Sequence, residues 1–114
     1  MKIERFEDII AWRKAKELTL LLYKLFRNSR DFSFRDQILR ASISIMNNIA
    51  EGFERKSNKE FKHFLFMAKG SSGEVRSMLY LALELNYLSK LEFNKLTNLS
   101  IEISKLLSGF IKTL

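Results

Sequence analysis

The chain contains no proline and only four glycines among its 114 residues. These two residues most often end helices and form the tight turns between strands. A sheet protein needs such turns at short intervals. The scarcity of both residues therefore predicts long helices joined by short connections, in a chain of the right length for a single domain, residues 1–114.

Four segments with helical periodicity are separated by short polar breaks. The first is predicted over about 7–28 and is followed by a break over 28–33. Its apolar residues recur at alternating spacings of four and three, which places them on one face of a helix. That face comprises Ala11, Ala15, Leu18, Leu22 and Leu25, widened by Ile10, Trp12 and Leu21.

The other three helices each begin with a serine that an acidic residue follows three positions later. This spacing is typical of a capping box. The pairs are Ser33 with Asp36, Ser57 with Glu60, and Ser89 with Glu92. Asn86 favours a left-handed stop to the third helix, and the turn before that helix is expected around Lys56 and Ser57. Four helices with short breaks predict an all-α, antiparallel up-down-up-down four-helix bundle.

Inward stripes can be assigned to the later helices by the same spacing. Two small residues in the second stripe would let a neighbouring helix come close. The stripes are Ile38, Ser42, Ile45, Ile49 and Gly52 in the second helix, Phe61, Leu65, Ala68, Ser72, Val75, Leu79 and Ala82 in the third, and Leu96, Leu99, Ile103, Leu106 and Phe110 in the fourth.

The third helix is apolar or small on its far side as well. A helix that is apolar nearly all round is normally buried all round, so we expect this side to form a subunit interface in a homo-oligomer. Glycine inside a helix costs about 1 kcal/mol against alanine, which close approach of another backbone would explain. The alternative is that the glycines separate two shorter helices. The predicted interface residues are Phe66, Met67, Gly70, Gly73, Tyr80 and Leu81.

The composition points away from secretion and metal binding. The chain has no cysteine, which excludes disulfides and thiolate sites and favours the cytoplasm. No signal peptide or membrane span is expected from the sequence. The only histidine, His63, forms a Glu-x-x-His pair with Glu60, but one such pair cannot complete a di-metal carboxylate site.

No enzyme chemistry is expected either. No serine or threonine can be assigned a histidine base that a third group orients. The run over 69–73 faintly resembles a phosphate loop, but it lacks the spacing and the preceding strand. We therefore expect no enzyme activity, no cofactor and no bound metal.

Basic residues are the stronger indication of function, since the net charge is +7. In the third helix they recur every seven residues and so form a line along it. Such a line can neutralise backbone phosphates without reading bases. The alternative is that these side chains only solvate the flanks of the core. The predicted nucleic-acid-binding residues are Arg13, Lys14, Lys16, Arg40, Arg55, Lys56, Lys59, Lys62, Lys69 and Arg76.

The sequence ISIMNNIAEGF at 43–53 carries a family resemblance that extends over nearly the whole chain. It resembles the bacterial four-helix-bundle family whose founding members are encoded within intervening sequences of large-subunit ribosomal RNA genes. Many relatives have proline where Met46 stands here, which leaves any kink in the second helix open. The similarity continues through Arg55, Lys56, Lys59, Glu60, Phe61, Phe64, Leu65, Ala68, Gly70, Ser71 and Glu74, and includes Phe6, Glu7, Asp8, Trp12 and Ala15 and residues 85–88.

The resemblance implies a ring-like homo-oligomer, typically a pentamer. It also implies kinship with the accessory protein of diversity-generating retroelements, which binds nucleic acid and a reverse transcriptase. The motif positions carried over are Arg40, Asn48, Glu51, Gly52, Glu60, Gly70 and Glu74. Of these, we interpret Gly52, Gly70 and Glu74 as structural, and Arg40 with the basic cluster over 55–62 as binding candidates.

These observations predict a non-enzymatic homo-oligomer that binds structured RNA or DNA. The alternative is a protein-interaction scaffold with an acidic protein partner and no nucleic-acid role. If the basic line binds phosphates, its loss should matter more than the loss of other lysines. We expect neutralisation of Arg55, Lys59 and Lys62 to weaken binding more than neutralisation of Lys90, Lys95 and Lys112.

Overall fold

Four α-helices form an antiparallel bundle in the computed structural model, which describes residues 3–114. They are α1 (Ile10–Phe26), α2 (Phe32–Phe53), α3 (Asn58–Glu84) and α4 (Lys90–Lys112), preceded by one 3₁₀ turn over Phe6–Asp8. Each helix packs against the next in sequence, and α4 packs against α1. All the regular structure of the described residues is helical. The predicted all-α, up-down-up-down four-helix bundle is confirmed.

The first helix begins later than predicted because the backbone is extended at Ile9. This residue separates the 3₁₀ turn from α1 and is itself buried. The side chain of Ile10 is then turned outward and is 58% exposed, so its predicted place on the inward face is wrong. At the other end Phe26 is fully packed, whereas Leu25 is only half-buried.

The second helix begins two residues earlier than the sequence predicts. Asp31 is its cap: the carboxylate accepts a hydrogen bond of 3.2 Å from the backbone N–H of Phe34. The predicted capping pair of Ser33 and Asp36 is therefore wrong. Ser33 lies inside the helix, and the carboxylate of Asp36 accepts from the neighbouring Arg35 side chain at 2.8 Å.

The starts of the last two helices agree with the prediction. Ser57 and Ser89 both cap through their hydroxyl oxygens, which accept from the N–H groups of Glu60 and Glu92. Only the second pair has the reciprocal bond of a full capping box; in the first, the Ser57 hydroxyl donates to the Glu60 carboxylate at 3.3 Å. The turn around Lys56 and Ser57 is also confirmed.

The end of α3 is a Schellman motif built on Asn86. This residue has φ 60°, the left-handed conformation that the sequence suggested. Its N–H donates to the carbonyl of Leu83 at 3.1 Å, and the N–H of Tyr87 donates to that of Ala82 at 2.9 Å. These bonds satisfy carbonyls that the helix end would otherwise leave unpaired.

The core contains the predicted stripes of α2 and α3 in full. In α4 the stripe is correct up to Ile103, after which Leu107 and Ile111 are buried and the predicted Leu106 and Phe110 are half-buried. The register therefore changes by one position near the carboxyl end.

Small residues bring α2 and α3 together, as expected. A Cβ atom on Gly52 would lie 2.6 Å from the Cβ of Phe64. Further along the same contact, the hydroxyls of Ser71 and Ser44 are 2.9 Å apart. No helix within residues 3–114 is long and apolar enough to cross a membrane.

Candidate nucleic-acid interface

The corner between α2 and α3 carries three of the predicted cations. Arg55 forms an ion pair of 2.8 Å with Glu51, one helical turn before it, and its guanidinium lies 4.7 Å from the ring centroid of Phe64. Lys56 and Lys59 are exposed at the same corner. The charge of Arg55 is thus partly offset within the chain, whereas both lysines face solvent.

The three predicted cations of α1 have partners of their own. Arg13 donates to the carbonyl oxygen of Glu7 at 2.7 Å and pairs with Asp8 at 3.2 Å. These contacts fasten the 3₁₀ turn to α1. Lys14 pairs with Glu102 of α4 at 3.7 Å.

The ammonium group of Lys16 lies 5.7 Å from the ring centroid of Trp12, over its face. This is within the range of a cation–π contact. Intramolecular contacts therefore occupy each of the three α1 cations. None of these contacts excludes a phosphate, but all of them compete with one.

The basic line of α3 lies on the flank that faces α4. Lys69 and Arg76 line a surface groove of about 600 Å³ between the two helices. Two lysines of α4, Lys105 and Lys112, line the same groove. They are also seven residues apart, but only the antiparallel packing shows that they join the line on α3.

The charged residues that line this groove are all basic. Its lining contains four basic side chains and no acidic one. Within residues 3–114, no carboxylate forms an ion pair with any of these four. Lys112 therefore belongs with the basic line, and it is unsuitable as part of the control set for which the sequence suggested it.

Arg40 lies apart from this groove. It is exposed on α2, one turn from Gln37 and from Ser44, which bond Glu74 and Ser71 of α3 respectively. That seam is on the other flank of α3. The structure thus brings Lys69 and Arg76 together with new partners, but it separates Arg40 and the α1 cations from them.

The predicted interface residues form one exposed surface on the outer side of α3, here called the outer α3 face. Phe66 is 53% exposed and Tyr80 56%, and Met67 and Leu81 are exposed to a similar degree. The ring of Tyr80 packs edge-on against Phe93 of α4, with centroids 5.1 Å apart. The remaining apolar side chains of this face point into solvent in the single chain.

Both glycines of the outer α3 face lie in open space. A Cβ atom on Gly70 or Gly73 would have no neighbouring atom within 4 Å. Helix α3 runs through both positions without interruption from Asn58 to Glu84. The alternative interpretation, that these glycines separate two shorter helices, is therefore wrong.

His63 and Glu60 lie on the first turns of α3 and are exposed. Glu60 accepts a bond from the cap Ser57, and the imidazole ring lies 6.0 Å from that of Phe64. Among the residues that the structure describes, no three histidine or acidic side chains are close enough to share a metal ion.

Comparison with known proteins gives one family and a similar structure. The family model described as 23S rRNA-intervening sequence protein matches residues 7–109. A crystal structure from Bacteroides thetaiotaomicron VPI-5482, of a protein with unknown function from the S23 ribosomal protein family, superposes with a TM-score of 0.85. The two sequences are 28% identical, and the match covers 90% of this chain and 99% of that one. Comparison with curated proteins gave no match.

Proposed function

This chain belongs to the 23S rRNA-intervening sequence protein family, and on that premise we propose that it is a non-enzymatic homo-oligomer that binds structured RNA or DNA. Contacts to backbone phosphates supply the affinity, and base sequence contributes little. We also propose that the protein works in the cytoplasm, because small secreted domains are often stabilised by disulfides and this chain has no cysteine.

The observation that carries this proposal is the set of cations that no carboxylate of the described chain offsets. Arg13, Lys14 and Arg55 each have an acidic partner. The remaining predicted cations of α2 and α3 have none within residues 3–114, and the net charge is +7. These side chains are free to replace the counterions of a polyanion, and that release drives binding.

The oligomeric part of the proposal is supported by the outer α3 face. Exposed aromatic and aliphatic side chains around two glycines are suited to close packing of another helix. A ring of identical subunits repeats the basic line once per subunit, so the electrostatic fields of the lines add. The pentamer that the family resemblance implies is one such ring. A reverse transcriptase is a further partner that the resemblance suggests.

Nucleic-acid binding is tested by titrating labelled RNA and DNA duplexes of unrelated sequence at several salt concentrations. We expect similar affinities for all sequences of one length and a linear fall of log affinity with log salt. A protein that binds neither duplex at low salt would contradict the proposal. That outcome would favour the alternative, a scaffold for an acidic protein partner. Binding of such a partner should depend less steeply on salt than binding of a nucleic acid does.

A further inference from the structure

The groove between α3 and α4 has a defined register. Phe61 packs against Phe110 with ring centroids 5.3 Å apart, and the hydroxyl of Ser104 donates to that of Ser72 at 3.1 Å. In antiparallel helices these two contacts bracket which residues are level with one another. Between the two positions that they indicate, Lys105 of α4 is about level with Lys69 of α3.

The same register places Lys62 level with Lys112, one step nearer the carboxyl end of α4. Residues seven apart on a helix are separated by about 10 Å along its axis, at 1.5 Å for each residue. The two helices therefore carry cations at similar heights, about 10 Å apart along each helix; of these, Lys69, Lys105 and Lys112 line the groove itself. Arg76 extends the row on α3 by one further step.

Apart from Ile101, the uncharged residues that line the space between the two rows are small. Ser104, Ser108 and Gly109 of α4 contribute to it. Short side chains leave room for a chain of phosphates and sugars between the rows, and the hydroxyl of Ser108 can donate to a phosphate oxygen.

The groove also lacks what binding of bases would need. None of the residues that line it is aromatic, whereas proteins that hold single strands stack bases on aromatic side chains. The lining thus complements a backbone whose bases are turned away and paired with a second strand.

We propose that this groove is the docking track for one sugar-phosphate strand of a nucleic-acid duplex, gripped from both sides by Lys69, Arg76, Lys105 and Lys112. The inference rests on the proposed function and deepens it, since it assigns the binding site to two helices and the ligand to duplex form. Lys105 and Lys112 thereby become binding residues.

The test compares two double variants with equal loss of charge. The groove variant combines Lys69→Gln with Lys105→Gln and so removes one cation from each side of the groove. The control variant combines Lys90→Gln with Lys95→Gln, at two positions outside the groove. The ligand is a B-DNA duplex, with a single strand of the same length in parallel. We expect the groove variant to lose at least about tenfold in affinity at 0.1 M salt, and its log–log salt slope to become shallower by about 1.8, which is 0.9 for each lost phosphate contact.

Each outcome bears on one proposal or both. The charge-preserving variant Lys69→Arg with Lys105→Arg should retain wild-type affinity, and circular dichroism should show all variants to be helical. Equal losses from the groove and control variants would overturn the groove while leaving nucleic-acid binding intact, as would tighter binding of the single strand. Absence of wild-type binding to every nucleic acid would overturn the groove together with the proposed function.

Discussion

The phenol of Tyr87 donates a hydrogen bond of 2.6 Å to Oδ2 of Asp31, across 56 residues of sequence. Oδ1 of the same carboxylate caps α2 by accepting from the N–H of Phe34. The bond from Tyr87 is the larger of the two influences that hold the pKa of Asp31 below its ordinary value. One carboxylate therefore joins the α3–α4 turn to the beginning of α2.

Tyr87→Phe should raise the pKa of Asp31 towards its ordinary value and lower the stability at neutral pH. Because the folded-state pKa is lowered, the bond stabilises the fold above the unfolded-state pKa of about 3.9, and this contribution is lost as pH falls through the folded value. The difference in stability between wild type and variant should thus be present at pH 7 and shrink as pH falls through the folded-state pKa of Asp31. Thermal unfolding and NMR titration of the Asp31 carboxyl measure both effects. An unchanged Asp31 pKa in the variant would contradict the assigned cause.

The same bond also sets an alkaline limit. The hydrogen bond to Asp31 raises the pKa of Tyr87 above its ordinary value. The contribution of the protonated phenol is complete below the unfolded-state pKa of about 10 and is lost as pH rises through the folded value. In strong alkali the wild type should therefore lose more stability than Tyr87→Phe does, by the contribution of this bond. Urea unfolding of both proteins measures the difference.

Gly52→Ala should destabilise the bundle by about 1–3 kcal/mol, as overpacking does. The added Cβ would lie 2.6 Å from the Cβ of Phe64 and 3.0 Å from Cδ1 of Phe61. The control is Gly109→Ala, where a Cβ has no neighbour within 4 Å and helix propensity gives up to about 1 kcal/mol of stabilisation. Urea unfolding of both variants measures the difference; effects of equal sign would contradict the close packing.

Thr97→Val should raise stability by about 1 kcal/mol, because it removes a buried hydroxyl without a hydrogen-bond partner among the described residues. Thr19 is the matched control: both residues are 7% exposed, but the Thr19 hydroxyl donates to the carbonyl of Ala15 at 2.8 Å. Thr19→Val should therefore lower stability by about 1 kcal/mol. Calorimetry compares the two. Destabilisation by both substitutions would show that the Thr97 hydroxyl is satisfied.

Phe66→Glu should separate the proposed homo-oligomer into subunits without loss of helicity, since the side chain contributes to the outer α3 face and not to the core. Leu91→Glu is the control, because Leu91 is 81% exposed on a different helix. Light scattering should give a multiple of 13.4 kDa for the wild type and the control, and a single subunit for Phe66→Glu. A wild-type mass of one subunit at micromolar concentration would refute the interface.

Sequence periodicity located the core of α3 completely, from Phe61 to Ala82, because a long helix with one buried face repeats its signal many times. The local spacing of capping residues gave the wrong start for α2, where Ser33 and Asp31 are both good caps. Asp31, the residue that caps the helix, also accepts a hydrogen bond from Tyr87, which is distant in the sequence. Local spacing holds no information about such a partner.

The candidate site shows the same division. The line of Lys62, Lys69 and Arg76 is a periodic feature of a single helix, so the sequence revealed it. Lys105 and Lys112 join that line only through the pairing of α3 with α4. Likewise, the ion pair between Lys14 and Glu102 depends on the contact of α1 with α4. Which charges lie together, and which have an acidic partner, depends on tertiary contacts and cannot be predicted before the packing of the helices is known.

The two glycines of the outer α3 face should make the middle of α3 open more readily than the rest of the helix. Gly70 and Gly73 have the lowest helix propensity in the segment, and no side chain of their own covers the main chain there. Local opening should be easiest at this turn, so its amide protons should exchange with solvent faster than those of the flanking turns. A partner seated on the outer α3 face would slow that exchange. Deuterium uptake at this turn thus provides a label-free reporter of assembly in the unmodified protein.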